Sequence, residues 1–365
     1  MKPSDSPLPL VAIDARLVSG SSTGDSTYWT GLVRALLRRA PEFRYLLLSN
    51  VAKPPEIPET SHSQWVVVPG RSSRWWSLVS FPMAARRAGA DVLHTQYTLS
   101  PLAGKHAVTT IHDVSFLIGP EWFQPKDRLL LTRLVGPSAR RAARVVTVSQ
   151  TSRRDIVRLL GLPEAKVVAT PLAASEAIER MEIGDARALV ARAFGLEGPF
   201  CLTVGTRWPR KNMQLAVDAV EGLGEAFPHR LALTGKAGWG EGELGARTVP
   251  LGYVEERQLS ALYSCADVFL APSRYEGFGL TLLEAFRCGC PVVASVGGSH
   301  PEVAGDAARL VPEWDAESWS AALRELLGDS SNLAELRQRG PARAAAFSWD
   351  ETARLTAEVY REVLL

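Results

Sequence analysis

The stretch Arg274-Tyr-Glu-Gly-Phe-Gly-Leu-Thr-Leu-Leu-Glu-Ala-Phe-Arg-Cys-Gly-Cys-Pro291 decides how this chain is read. A short apolar run, Val268–Ala271, precedes it, and another, Val292–Ser295, follows it. Runs of that length are strand candidates, while Leu280–Arg287 has helical spacing. Strand, glycine loop, helix and strand in that order describe one unit of a parallel sheet. Gly277 and Gly279 lead into the helix, whose free amides suit a phosphate approached closely by backbone. Glu276 stands just before that point and Glu284 roughly one turn inside the helix. A diphosphate there has a sugar on one side and a ribose on the other, so each carboxylate can accept hydroxyl hydrogen bonds from one of them. The competing reading of Glu284 is a capping or surface carboxylate. A Gly-x-Gly alone says little. Two glutamates eight residues apart, flanking it between apolar strands, say much more.

A second turn lies upstream in Val204-Gly-Thr-Arg-Trp-Pro-Arg-Lys-Asn212. It follows the strand candidate Phe200–Val204 and precedes a helix expected over Met213–Ala226. Arg210 and Lys211 are adjacent cations at a strand's carboxyl end, where they can neutralise a phosphate, with Arg207 a third candidate. Strands are also expected at Arg230–Thr234 and Arg309–Val311, and a helix at Leu259–Cys265.

The same alternation runs through the first half. Strands are expected at Leu10–Ile13, Tyr45–Ser49, Trp65–Val68, Val92–His94, Ala107–Ile111 and Val145–Val148. Helices are expected at Tyr28–Arg39 and Ser149–Leu160. Two successive doubly wound α/β units follow, each binding ligands beyond the carboxyl ends of its strands. The pause at Thr170–Ser175 divides them, giving domains 1–172 and 173–348. The last segment, Trp349–Leu365, is an amphipathic helix with Ser348 as its cap; it either crosses back onto the first domain or closes the second. In the first domain a loop from Gly20 to Gly24 follows the first strand and can approach a ligand. His112, with Asp113 after it, ends another strand. A histidine so placed is either structural or part of the site.

The chain has 365 residues, 46% hydrophobic and 22% charged, with a mean hydropathy of −0.01. These are the values of a globular chain with two cores. No apolar run approaches the ~20 residues that span a bilayer, and Met1–Pro9 lacks a signal-peptide core, so the expected location is cytoplasmic. Cys201, Cys265, Cys288 and Cys290 sit in apolar segments and are expected as buried free thiols rather than metal ligands. The net charge of +2 hides an asymmetry. Residues 1–175 hold 22 Lys/Arg and 12 Asp/Glu, a balance of +10; residues 176–365 hold 19 and 27, a balance of −8. The basic half either attracts an anionic membrane surface, with Arg71, Arg74, Trp75, Trp76, Arg86 and Arg87 as candidates, or is a set of solvated helix faces over core tryptophans.

Several motifs are absent. There is no Asp-x-Asp, no G-x-x-x-x-G-K-[ST], no G-x-G-x-x-G after the first strand, no G-x-S-x-G and no H-E-x-x-H. A departing diphosphate therefore has to be stabilised by Lys, Arg and helix-end amides.

The chain resembles glycosyltransferase family 4. Glu276 and Glu284 match the family's E-x7-E signature, and Gly205–Asn212 matches its donor-phosphate turn. Ile13-Asp-Ala-Arg-Leu17 with Thr23-Gly24, Thr110-Ile-His-Asp-Val-Ser-Phe116, Val148-Ser-Gln-Thr-Ser-Arg-Arg-Asp155, Leu251-Gly-Tyr-Val254 and Phe347-Ser-Trp349 also match. The resemblance implies the GT-B fold, two Rossmann-like doubly wound domains facing a central cleft. It implies a retaining, metal-independent hexosyltransferase with no cofactor. The partners it implies are a nucleotide-diphosphate sugar and a glycan or lipid-linked acceptor, with no nucleic acid. Mannose from GDP-mannose and glucose from UDP-glucose are the donors considered. In this resemblance Glu276 contacts the donor sugar, Glu284 the ribose, and Arg210 and Lys211 the diphosphate. Phe278, Gly279 and Leu280 offer amides, Lys236, Tyr253 and Val254 line the base pocket, and His112 covers the sugar from the acceptor side. Two departures stand out: Thr23-Gly-Asp-Ser-Thr-Tyr28 where relatives commonly read Thr-Gly-Ile-Gly-Arg-Tyr, and Pro171-Leu-Ala-Ala174 where they often read Pro-Asn-Gly-Val. The alternatives are a non-catalytic nucleotide or glycan binder of the same fold and a nucleotide-sugar epimerase.

Overall fold

The computed structural model describes residues 8–18, 23–70, 72–239 and 242–365. The chain divides into two compact units. One holds Met1–Leu117, Gln124–Leu172 and Ser348–Leu365; the other holds Ile118–Phe123 and Ala173–Phe347.

The strands of the first unit are β1 (Leu10–Asp14), β2 (Arg44–Ser49), β3 (Ser63–Val67), β4 (Val92–Gln96), β5 (Ala107–Thr110), β6 (Arg144–Thr147) and β7 (Val167–Ala169). They form one parallel sheet in the order β3-β2-β1-β4-β5-β6-β7. β1 and β2 carry the apolar runs Leu10–Ile13 and Tyr45–Leu48, and β1, β2 and β4 are buried along most of their length, as a sheet covered on both faces requires. The second unit holds β8 (Phe200–Val204), β9 (Arg230–Thr234), β10 (Thr248–Gly252), β11 (Val268–Ala271), β12 (Val292–Ser295) and β13 (Arg309–Val311), in the parallel order β10-β9-β8-β11-β12-β13. Phe269 of β11 pairs with Leu202 of β8. In each sheet the strand order reverses once, between β1 and β4 and between β8 and β11. The connections there leave in opposite directions and open a crevice at the strands' carboxyl ends.

The core of the second unit packs Cys201, Val220, Leu231, Leu270, Val293 and Trp319 around the sheet. All four cysteines are free and buried. In the first unit the largest buried groups are Trp29, Trp76, Tyr28, Tyr45 and Tyr360. The last helix, Trp349–Leu364, starts at Ser348, whose side chain accepts from Glu351 N at 3.1 Å. It packs on the helix Gly24–Arg39. At Gly31 a Cβ would lie 2.4 Å from the Trp349 ring, so only glycine lets the two helices close. Tyr360 on the same helix hydrogen-bonds His94 Nδ1 at 2.7 Å.

Some boundaries differ from the sequence reading. The first helix begins at Gly24 rather than Tyr28, because Thr23 caps it by accepting from Ser26 N at 3.2 Å. Gly24 therefore opens the helix, and Gly20, Ser21 and Ser22 lie outside the described residues. The helix expected to reach Ala226 stops at Glu221, since Gly222 caps it and Gly224 turns the chain at φ 81°. The helix at Leu259 starts three residues earlier, at Glu256, behind a reciprocal cap between Glu255 and Gln258. Trp75 and Trp76 divide: Trp76 is core and Trp75 is exposed, as are Arg74, Arg86 and Arg87. Arg71 lies outside the described residues. Among the described residues no helix is long and apolar enough to cross a membrane.

Candidate active site

The second unit gathers a charged cluster where its strand order reverses. The loop after β8 carries Arg210 and Lys211, and the loop after β11 carries Glu276. Backbone ties the two loops together, with Arg274 N donating to Arg210 O at 2.8 Å. Glu276 is buried and takes both cations at once: Arg210 Nη1 at 3.0 Å on Oε2 and Lys211 Nζ at 2.7 Å on Oε1. Arg210 Nη1 also donates to Tyr275 O at 2.6 Å. Burial works to raise the Glu276 pKa, yet the charges of Arg210, Lys211 and His300 and the Lys211 hydrogen bond outweigh it. The carboxyl is held well below its ordinary range.

Behind Glu276 the loop after β12 locks the geometry. Ser299 donates from its backbone N to Glu276 O at 3.0 Å, and its hydroxyl reaches Phe278 O at 2.6 Å. At Gly298 a Cβ would sit 2.3 Å from Glu276 O, so the close approach needs glycine there. His300 is buried, hydrogen-bonded to Ser295 Oγ at 3.1 Å, and its pKa falls to about 4 chiefly through burial.

The helix Leu280–Arg287 starts at Gly279 with φ 100° and no side-chain cap. Its first-turn amides therefore have no competing side-chain acceptor at the cap, as an anion site requires. Gly277, Phe278 and Gly279 are buried and Leu280 is half-buried. Glu284, inside this helix, is buried rather than a surface carboxylate. Tyr263 donates to its Oε2 at 3.3 Å, and burial pushes its pKa up to about 7. Lys236 and Tyr253 follow β9 and β10 and are exposed, while Val254 beside Tyr253 is buried. Arg207 meets the β9 loop through its backbone N, 3.2 Å from Lys236 O.

Thus Arg207, Arg210, Lys211, Lys236, Glu276 and the Gly277–Leu280 segment all belong to loops at the carboxyl ends of β8, β9 and β11. Sequence reading did not single out Ser299 or His300. Their signal was Gly297-Gly298-Ser-His300 one residue beyond a strand, a glycine-bearing turn like those that marked the other loops.

In the first unit, His112 follows β5 and Gly24 opens the helix after β1. Asp113, read beside His112, is used locally. It accepts from Ser115 N at 2.8 Å and from Ser115 Oγ at 2.6 Å, at the start of the short helix Ser115–Ile118.

Comparison with known proteins gives this arrangement a family. Residues 23–173 match the model described as Glycosyltransferase Family 4, and residues 198–329 match that described as Glycosyl transferases group 1. Over 270 residues the chain is 37% identical to the O-antigen chain mannosyltransferase B of Escherichia coli, covering 70% of each chain. The chain belongs to glycosyltransferase family 4. Another relative of this family 4 glycosyltransferase is the D-inositol 3-phosphate glycosyltransferase of Kineococcus radiotolerans, 29% identical over 95% of this chain and 92% of that one. Among solved structures, the Anabaena protein HepE in complex with UDP and glucose is similar at a TM-score of 0.72 and 17% identity, over 98% of this chain and 100% of that one. The glycosyltransferase has the GT-B architecture of two parallel α/β domains, and its sheets hold seven and six strands.

Proposed function

We propose that this glycosyltransferase moves a hexose from a nucleoside-diphosphate sugar to a hydroxyl of a glycan or lipid-linked acceptor, with retention at the anomeric carbon and without a metal ion. The observation that carries the proposal is the pairing of Arg210 and Lys211 with Glu276, beside the uncapped start of Leu280–Arg287. Two half-buried cations and a row of amides suit an anion that gains charge as it leaves. The C1–O bond to phosphate breaks, the acceptor oxygen bonds C1, and its proton passes to the departing phosphate. Glu276 holds hydroxyls of the sugar ring, and Glu284 takes the ribose hydroxyls. Lys236, Tyr253 and Val254 receive the base.

Mannose from GDP-mannose is the first donor to test, because a relative covering 70% of this chain is a mannosyltransferase. Glucose from UDP-glucose is the second, since a protein of the same fold holds UDP and glucose.

The test begins with a panel of nucleotide sugars scored for protection against thermal unfolding. The protecting donor is then supplied with glycan and lipid-linked acceptors in the presence of EDTA. The expected product keeps the donor's anomeric configuration by NMR. Inversion of that centre, or loss of transfer on chelation, overturns the proposal.

A further inference from the structure

The first unit departs from the family pattern at Asp25, and the structure shows what that residue faces. Asp25 Oδ1 stands 3.6 Å from His112 Nε2. Nε2 is buried and makes no hydrogen bond within the described residues. The His112 ring lies edge-on to Tyr28 at 4.7 Å and 5.8 Å from the Tyr97 ring. Burial lowers its pKa despite the opposing charges of Asp25 and Asp113, which favours the neutral ring. A neutral imidazole has one N–H and one lone pair, and its surroundings decide which nitrogen holds which.

Here those surroundings have a fixed polarity. The Trp29 indole N–H is only a donor, and it faces Gln96 Oε1. Gln96 must therefore turn its amide nitrogen the other way, where Nε2 donates to Asp25 Oδ2 at 2.9 Å. With Oδ2 taken, Oδ1 is the acceptor presented to His112 Nε2. Such contacts are often long without substrate and tighten on binding.

We propose that Asp25 is a positioning residue for His112: through the relay Trp29–Gln96–Asp25 it holds the imidazole as the Nε2–H tautomer and leaves Nδ1 to accept a hydrogen bond from a substrate hydroxyl. The effect on transfer rests on the proposed function, in which His112 meets substrate; the tautomer does not. The relay gives this chain's altered first turn a chemical purpose. An apolar residue at position 25 leaves Nε2 without an acceptor and the tautomer unset.

The relay can be tested by reversing its polarity. In Asp25→Asn, the Gln96 amide still claims an oxygen, so the new carboxamide turns its NH2 toward His112 and the tautomer inverts to Nδ1–H. In the double variant Asp25→Asn/Gln96→Glu, the carboxylate introduced at position 96 accepts from both the Trp29 indole and the carboxamide NH2 at position 25. The carboxamide oxygen then faces His112 again and Nε2–H returns. Long-range 1H–15N spectra of full-length protein labelled at its six histidines read each state, with His112 assigned by His112→Gln. With the nucleotide sugar that the wild type turns over, Asp25→Asn lowers kcat roughly tenfold to a hundredfold at little-changed donor KM, and the double variant recovers most of it. A wild-type Nδ1–H tautomer, or one that Asp25→Asn leaves unchanged, overturns the relay. Inversion with kcat unaltered overturns its part in transfer. A wild type that turns over no nucleotide sugar overturns the proposed function instead, and the spectra still decide the relay.

Discussion

Lys211 Nζ lies 2.7 Å from Glu276 Oε1, although 65 positions separate the two residues. The contact exists because β8 and β11 are neighbours in the sheet, so their loops emerge side by side. It joins the cation of the phosphate turn to the first carboxylate of the E-x7-E pair. Glu276 therefore shares the cations that a diphosphate would also use.

Lys211→Ala removes one of two cations from a buried carboxylate and, under the proposed function, from the leaving group. Turnover is expected to fall by roughly 10²–10³-fold, the cost of losing one preorganised charge donor. The unliganded protein is also expected to lose about 3 kcal/mol, because Glu276 stays buried with only Arg210. Steady-state kinetics and urea unfolding check the two effects separately.

Glu284 gives a pH dependence with a defined sign. Its folded pKa of about 7 is raised above the ordinary 4.5. Folding therefore favours the protonated form. That stabilisation is complete below about pH 4.5 and is lost as pH rises through 7, on the order of 3 kcal/mol in all. Glu284→Gln lacks the titration. The stability of the wild type relative to Glu284→Gln should fall between pH 4.5 and 7 in urea melts. A difference that is flat across this range contradicts the assignment.

Gly279→Ala forces a side chain onto a backbone with φ 100° and brings its Cβ to 3.2 Å from His300 Cδ2. A loss of roughly 1–2 kcal/mol in stability follows from the backbone alone. Nucleotide-sugar affinity is expected to fall with it, since the helix start moves. Thermal melts and calorimetric titration measure both.

Tyr360→Phe tests the anchoring of the last helix. His94 is buried, and burial lowers its pKa to about 3, so both ring nitrogens need neutral partners. Thr110 Oγ1 serves Nε2 at 2.8 Å and Tyr360 serves Nδ1 at 2.7 Å. Removing the Tyr360 hydroxyl should cost about 1–3 kcal/mol for the unsatisfied nitrogen. Equilibrium unfolding reads it.

Much of the architecture was legible along the chain, because parallel strands buried on both faces are short continuous apolar runs. Phe200–Val204, Arg230–Thr234, Val268–Ala271, Val292–Ser295 and Arg309–Val311 coincide with β8, β9, β11, β12 and β13. β7 and β10 escaped notice. β7 is only three residues long, and β10, Thr248–Gly252, carries Pro250 within an edge strand that is only partly buried. The helices Pro125–Arg141, Ile183–Phe194, Ala316–Gly328 and Ser330–Ala345 were likewise missed.

Local spacing by itself determined that Gly277–Glu284 is a loop entering a helix with carboxylates on either side, and that Arg210-Lys211 follows a strand. These facts depend on residues within a few positions of one another, where backbone geometry follows from residue type. Only the tertiary structure decided that Glu276 grips both cations, that Glu284 is dry enough to hold its proton near neutrality, and that Asp25 faces His112. Each of those depends on strand order and burial. They bring together residues tens of positions apart and set the dielectric around them, which no local pattern encodes.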